Sequence, residues 1–285
     1  MDTSPKKYLR LLRLAELITK YLPTGLSYMI MRCSTMIFSP DRGKIETDKI
    51  SKFMELPFWK ARIVWYKYLR HQGIFFTNVF LHKKMNQDWL SKNVHIENPE
   101  LLSILNDNGG LILTWHIQYH YSLFVILGLC GLKLNVLALA PEEGNFNFEL
   151  KKYIDLLHTE SEEKFSGQYL FYRLNNTFKR KLYKILSTSN ILLSLNDNFA
   201  SSNRSVNVKF LNKNIDVIHG TVDVAMRLNK PIVTAFMYFS GNKFFVKLKQ
   251  IDTSQNVQAI MQTYMTTLEL ELQKQPELWE GWHWL

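Results

Sequence analysis

Gly109-Gly110-Leu111-Ile112-Leu113-Thr114-Trp115-His116-Ile117-Gln118-Tyr119-His120-Tyr121 is the stretch whose reading decides the fold. Two glycines lead into a short apolar run, and the run stops at a histidine. The pattern predicts a buried strand over Leu111 to Leu113 that delivers His116 to a strand end, with a turn and a helix from about Tyr119 to Leu129. In open α/β sheets, ligands bind beyond the carboxyl ends of strands. A histidine placed there can act as a general base near neutral pH. The competing reading is a core or capping histidine.

Working outward, strand-like and helix-like segments alternate. Strands are expected at Val94 to Ile96, Leu134 to Leu139, Leu170 to Leu174, Ile191 to Leu195, Pro231 to Tyr238 and Phe244 to Ile251, with a hairpin from Asn207 to Leu211 and Asn214 to Val217. Helices are expected at Pro99 to Leu105, Phe148 to Leu157, Asn176 to Ser187, Gly220 to Leu228 and Gln255 to Lys274. This alternation predicts an α/β fold with a central mixed sheet flanked by helices. Residues 91–285 are read as that domain, and residues 1–90 as an N-terminal helical segment that packs on a membrane or on the core. Within the latter, residues 8 to 21 and 26 to 38 form an amphipathic pair, and Ile45 to Leu81 is helical and aromatic-rich.

With 285 residues, 46% of them hydrophobic, the chain can bury a full core. Twelve glycines and eight prolines argue against low complexity or a repeat array. Cys33 and Cys130 sit far apart in apolar surroundings and read as small buried residues, which fits a reducing compartment. A net charge of +10 favours anionic partners such as a membrane surface or an acidic carrier protein. Arg62, Lys67, Arg70 and Lys83 interleave with aromatics, yet aromatics at helical spacing belong to a core, and no nucleic-acid partner is expected. The opening Met1 to Lys7 does not read as a secretory signal. The longest apolar candidate, Leu22 to Phe38, is interrupted by Pro23, Gly25 and Arg32 and is too short to span a bilayer.

Three predicted strand ends concentrate polar groups: His116 with His120, Asp197, and His219-Gly220-Thr221. These suit acyl transfer, with His116 taking a proton from an acceptor hydroxyl or amine that attacks a thioester. No G-x-S-x-G elbow is present, so direct transfer without a covalent enzyme intermediate is the simpler version. A second reading takes His116-x3-His120 as two metal ligands on one helical face, with Glu142, Glu143 or Asp197 as the third. Ile117 stands where a zinc hydrolase of that spacing carries its catalytic Glu.

From about residue 95 onward the chain resembles the lipid A biosynthesis (late) acyltransferases of the lysophospholipid acyltransferase superfamily. Gly110 to His116 matches the first block, Leu192 to Asn198 the second, followed by Val206 to Phe210 and by Gly220 to Val233. Pro276, Glu277, Trp279 and His283 resemble the closing block. The resemblance implies a glycerol-3-phosphate acyltransferase-like fold. It also implies an acyl-thioester donor, acyl carrier protein or acyl-CoA, and work at the inner face of a membrane by a cytoplasmic protein. No cofactor or resident metal is expected. His116 carries over as the base and Asp197 as the acid of the second block. His120 and Tyr121 complete the catalytic candidates, and Trp115, Glu142, Glu143, Arg173, Asn198, Arg204, His219 and Thr221 are candidates for substrate binding.

The family's acid five positions after the histidine falls on Tyr121, which brings no negative charge at neutral pH. Glu142, Glu143 and Asp197 are the candidates to replace it. The arginine expected after the Pro231 strand is replaced by Tyr238 and Phe239. None follows the terminal histidine, where Trp284 and Leu285 stand. The expected acceptor is therefore a specialised lipid or secondary metabolite and not lipid A itself. A helix face with Lys179, Arg180, Lys181 and Lys184 would meet an acidic carrier. A non-catalytic protein that binds acyl chains or carrier proteins is the alternative from another class.

Overall fold

The computed structural model describes residues 5–38, 43–139, 148–172, 177–197 and 205–285. Five neighbouring strands run parallel and extend to one edge of a seven-stranded sheet of order β1-β9-β8-β2-β5-β3-β4. They are β2 (Gly110–Thr114), β3 (Leu134–Leu139), β4 (Gln168–Tyr172), β5 (Ile191–Leu195) and β8 (Ile232–Ser240). At one edge β9 (Lys243–Ile251) turns back antiparallel on β8, and β1 (Val94–Glu97) lies parallel to β9. The hairpin of β6 (Ser205–Phe210) and β7 (Lys213–Ile218) stands apart as a second sheet. The expected mixed α/β sheet flanked by helices is the fold observed.

Every residue of β2 is buried, as a central parallel strand covered on both faces must be. The helices that cover the sheet are α6 (Glu100–Asn108), α7 (His120–Leu129), α8 (Phe148–Phe165), α9 (Thr177–Leu186), α10 (Gly220–Arg227) and α11 (Val257–Lys274). In α7 the buried residues run from Ser122 to Leu127 without a break. Such a helix is surrounded by protein on all sides. By contrast α9 buries Leu182, Ile185 and Leu186 and exposes Lys179, Arg180, Lys181 and Lys184.

The chain opens with the helices α1 (Pro5–Tyr21), α2 (Thr24–Phe38), α3 (Gly43–Met54) and α4 (Phe58–Leu81). The region read as one helical stretch from Ile45 to Leu81 is therefore two helices. Glu55 takes a positive φ of 52°, and the residue before Pro57 disfavours helical backbone, so the chain breaks there. A short helix the sequence pattern did not suggest, α5 (Gln87–Asn93), starts where the Asn86 side chain accepts from the Trp89 N–H at 2.9 Å. Tyr28, Ile50, Ala61, Val64 and Ile74 from the N-terminal helices share one core with the strands. Cys33 corrects the expectation of a buried thiol. The inward face of α2 is Ser27, Tyr28, Met31, Ser34 and Thr35, which leaves Cys33 exposed, while Cys130 is half-buried; both are free thiols.

The glycine pair at the entry to β2 is required by geometry. Gly109 ends α6 at φ 65°, and a Cβ there would fall 2.6 Å from the carbonyl oxygen of Asn190. Backbone cannot give way as a flexible side chain can. Gly109→Ala is expected to lower the unfolding free energy by about 2 kcal/mol or more, read as a reduced urea midpoint at unchanged slope.

Candidate active site

Register brings the site together. Thr114 pairs with Leu195 at the carboxyl ends of neighbouring parallel strands β2 and β5. Two residues beyond each end stand His116 and Asp197, so residues 81 positions apart in sequence become neighbours. The Tyr264 hydroxyl on α11 ties the two strand ends. It donates to the Thr114 carbonyl (2.6 Å) and accepts from the Asn196 N–H (3.2 Å).

Asp197 is fully buried and collects three donors. The His116 Nδ1–H donates to Oδ1 (2.6 Å), while the His116 backbone N–H (2.9 Å) and the Trp279 indole N–H (2.8 Å) both donate to Oδ2. Burial alone would raise this carboxyl, but the charge of His116 and the donated hydrogen bonds outweigh it and hold Asp197 below the usual carboxylate range. For His116, burial works to lower the imidazole, and the neighbouring Asp197 carboxylate outweighs it, leaving His116 above the ordinary 6.5. With Nδ1–H engaged, the free lone pair is on Nε2. The His116 side chain retains 23% exposure, so the ring is not sealed in hydrocarbon. Trp284 packs edge-on against it at 4.7 Å.

The final segment wraps the same turn. The Gln118 N–H donates to the Leu278 carbonyl (2.9 Å), the Glu280 N–H donates to the His116 carbonyl (2.8 Å), and Ile117 bridges Trp279. Glu280 is a titratable group that the sequence reading missed. Burial, reinforced by the charge of Asp197 and opposed by that of His116, pushes its carboxyl up to about 8. A lone charge between Trp279 and Gly281 gave no pattern to find it by.

The other candidates divide. His120 is buried, its Nδ1–H donates to the Ile117 carbonyl (2.7 Å), and its ring centroid lies 5.9 Å from that of His116. Burial and then the charge of His116 push its imidazole down to about 3, so it stays neutral. Tyr121 sits among His120, Phe124, His158 and Phe75 and makes no hydrogen bond to His116 among the described residues; the acid beside His116 is Asp197. Trp115 is fully buried and stacks on Tyr264 at 4.8 Å, on the core side of the turn. Thr221 accepts from the Asn196 side-chain amide (3.0 Å), which fixes the residue next to Asp197. His219 stands at the residue before α10, makes no side-chain hydrogen bond to the helix end, and is half-buried. Glu142, Glu143, Arg173, Asn198 and Arg204 lie outside the described residues. Among the described residues, no three His, Cys, Asp or Glu side chains converge as a metal site would require.

A buried, ionised Asp that orients a partly exposed His beyond the ends of parallel strands is equipped to move protons. The family model for bacterial lipid A biosynthesis acyltransferases matches residues 60–285. The chain belongs to that family, whose chemistry is acyl transfer. No curated protein matches it.

The His116–Asp197 coupling has a direct readout. In an NMR titration the His116 imidazole is expected to titrate above 6.5 in the native protein. In Asp197→Asn the raising charge is gone and burial remains, so the midpoint should drop below 6.5. An unchanged midpoint would contradict the pairing.

Proposed function

We propose that this chain transfers an acyl group from a thioester donor to a hydroxyl or amine acceptor, with His116 as general base. The observation that carries the reading is the Asp197–His116 hydrogen bond, which leaves Nε2 as a directed lone pair at the sheet's ligand-binding edge. Nε2 takes the proton of the acceptor O–H or N–H as the acceptor atom attacks the thioester carbonyl. The tetrahedral intermediate collapses, the carbon–sulfur bond breaks, and the imidazolium returns the proton to the departing thiolate. Asp197 stays ionised, fixes the tautomer and stabilises the imidazolium. Glu280 is mainly the neutral acid at pH 7 and offers an O–H donor within electrostatic reach of the imidazole. Two acids with opposite shifts then have separate roles.

The acceptor is proposed to differ from lipid A, in a specialised lipid or secondary-metabolite pathway. Tyr238 stacks on Phe245, and Phe239 packs at a tilt against Phe244, where the family resemblance leads one to expect an arginine. An acyl carrier protein suits the exposed basic face of α9. A cytoplasmic location at the inner face of the inner membrane is proposed from the N-terminal helices. In α2 small hydroxyls point inward, with Thr35 donating to the Leu69 carbonyl (2.7 Å), while Met29, Met36, Ile37 and Phe38 are exposed. Leu17, Tyr21, Phe58, Trp59 and Ile63 extend this apolar surface, and Lys20 and Lys60 lie over the rings of Tyr21 and Trp59. Among the described residues no helix is long and apolar enough to cross a membrane, so the reading is contact with a surface.

His116→Ala is expected to cut thiol release from acyl-carrier donors by about a thousandfold or more in a folded protein, and Asp197→Asn by about a hundredfold or more. Activity that survives His116→Ala intact refutes the base. Bound donor that is never turned over by the native chain would make it a binding protein. Separately, replacing Ile37 and Trp59 with Glu should abolish sedimentation with anionic vesicles, and unaltered sedimentation would remove the membrane face.

A further inference from the structure

Outside the proton-transfer pair, the N-terminal helices gather a second set of polar groups behind the catalytic turn. On α4, His71 is hydrogen-bonded through Nδ1 to the hydroxyl of Tyr119, three residues after His116. Arg70 precedes it, and Lys67 is one turn earlier on the same helix. Arg32 comes from α2, and the two helices touch at this level: a Cβ on Gly73 would fall 2.6 Å from the backbone N of Arg32. Arg32, Lys67 and Arg70 are near enough that their charges act together on His71, whose imidazole is pushed down to about 4 by burial first and by these three cations after it.

The charge balance of this group is incomplete. Lys67 has a partner in Glu277 at 3.9 Å. Among the described residues no acid pairs with Arg32 or Arg70, and the buried Arg32 Nε has no hydrogen-bond partner. Burial and the charge of Arg70 act against the Arg32 guanidinium. Arg70 is hydrated at the surface, but Arg32 holds a buried orphan N–H beside a second cation, an arrangement from which the chain alone gains no stability. The arrangement becomes favourable when an anion with several acceptor oxygens occupies it. Planar guanidinium groups are the side chains best shaped to bind such oxygens in pairs.

We propose that Arg32 and Arg70, with Lys67 at the margin, bind a phosphate group of a substrate, placing that phosphate behind the turn that carries His116. The assignment to a substrate rests on the acyl-transfer reading; the anion site itself does not. The phosphate has two possible sources, the pantetheine arm of the donor or the acceptor. It is not at the position where the family resemblance leads one to expect an arginine, since Tyr238 stands there in a stack with Phe245.

Calorimetric titration of the full chain with inorganic phosphate, 4′-phosphopantetheine and a sugar 1-phosphate tests this. Native protein is expected to bind at least one of the two esters more tightly than inorganic phosphate, and the tighter ester names the source. R32Q/R70Q should weaken that binding tenfold or more. Arg70 is exposed, so Arg70→Gln alone gives a folded variant that should lose affinity even if the double variant unfolds. His116→Ala should bind as the native chain does. Phosphate binding that persists while no thioester is ever turned over would retire the acyl-transfer reading and leave the anion site standing. Affinity unchanged in Arg70→Gln and in a folded R32Q/R70Q, or no binding of any of the three probes by the native protein, overturns the proposal.

Discussion

The molecule is organised around one buried carboxylate. Asp197 has no solvent contact, and a charge in that position is tolerated only when donors surround it. Three are supplied from two distant places: the imidazole and backbone of His116, and the indole of Trp279. Removing a partner from such a buried pair costs about 3–5 kcal/mol. Stability and chemistry therefore act on the same atoms. The bonds that make Asp197 tolerable are also the bonds that set the tautomer of His116 and raise its basicity.

The rest of the architecture serves that contact. Parallel pairing of β2 and β5 sets both side chains two residues past the strand ends, and Tyr264 holds those ends at a fixed offset. Because side chains alternate along a strand, a slip of one residue in this register would carry one partner to the other face and separate the pair. The C-terminal segment from Pro276 onward runs along residues 116–118, brings Trp279 to the carboxylate and sets Trp284 against the imidazole. The N-terminal helices approach from the other direction, with His71 bonded to Tyr119. One turn, residues 115–120, is thus held by the sheet, the last residues and α4 together.

Much of this was legible because local chemistry is strong where the chain is simple. Gly109-Gly110 ahead of three apolar residues could only be a tight entry into a buried strand, and the strand lies there. The alternation of elements after residue 90 marked the α/β sheet for the same reason. The break between α3 and α4 was harder to see, since apolar and aromatic residues stand on both sides of Pro57, the one residue that marks it. The exposure of Cys33 was also hidden. In α2 three of the five inward residues, Ser27, Ser34 and Thr35, are small and hydroxylated, while Met29, Met36, Ile37 and Phe38 face outward, against the pattern on which burial is ordinarily read.

What the sequence alone determined is the alternation of strands and helices after residue 93 and the candidate imidazole, because helix and strand periods, glycine turns and strand-end histidines are local properties. Which acid serves that imidazole was a tertiary matter. Tyr121 occupies the place nearest in sequence, yet it packs among Phe75, Phe124 and His158, while Asp197 arrives from 81 residues away through strand register. Glu280, Trp279 and the unpaired arginines have the same origin. Their roles depend on burial and on neighbours brought from distant segments, and neither is encoded in the spacing of a single stretch of chain.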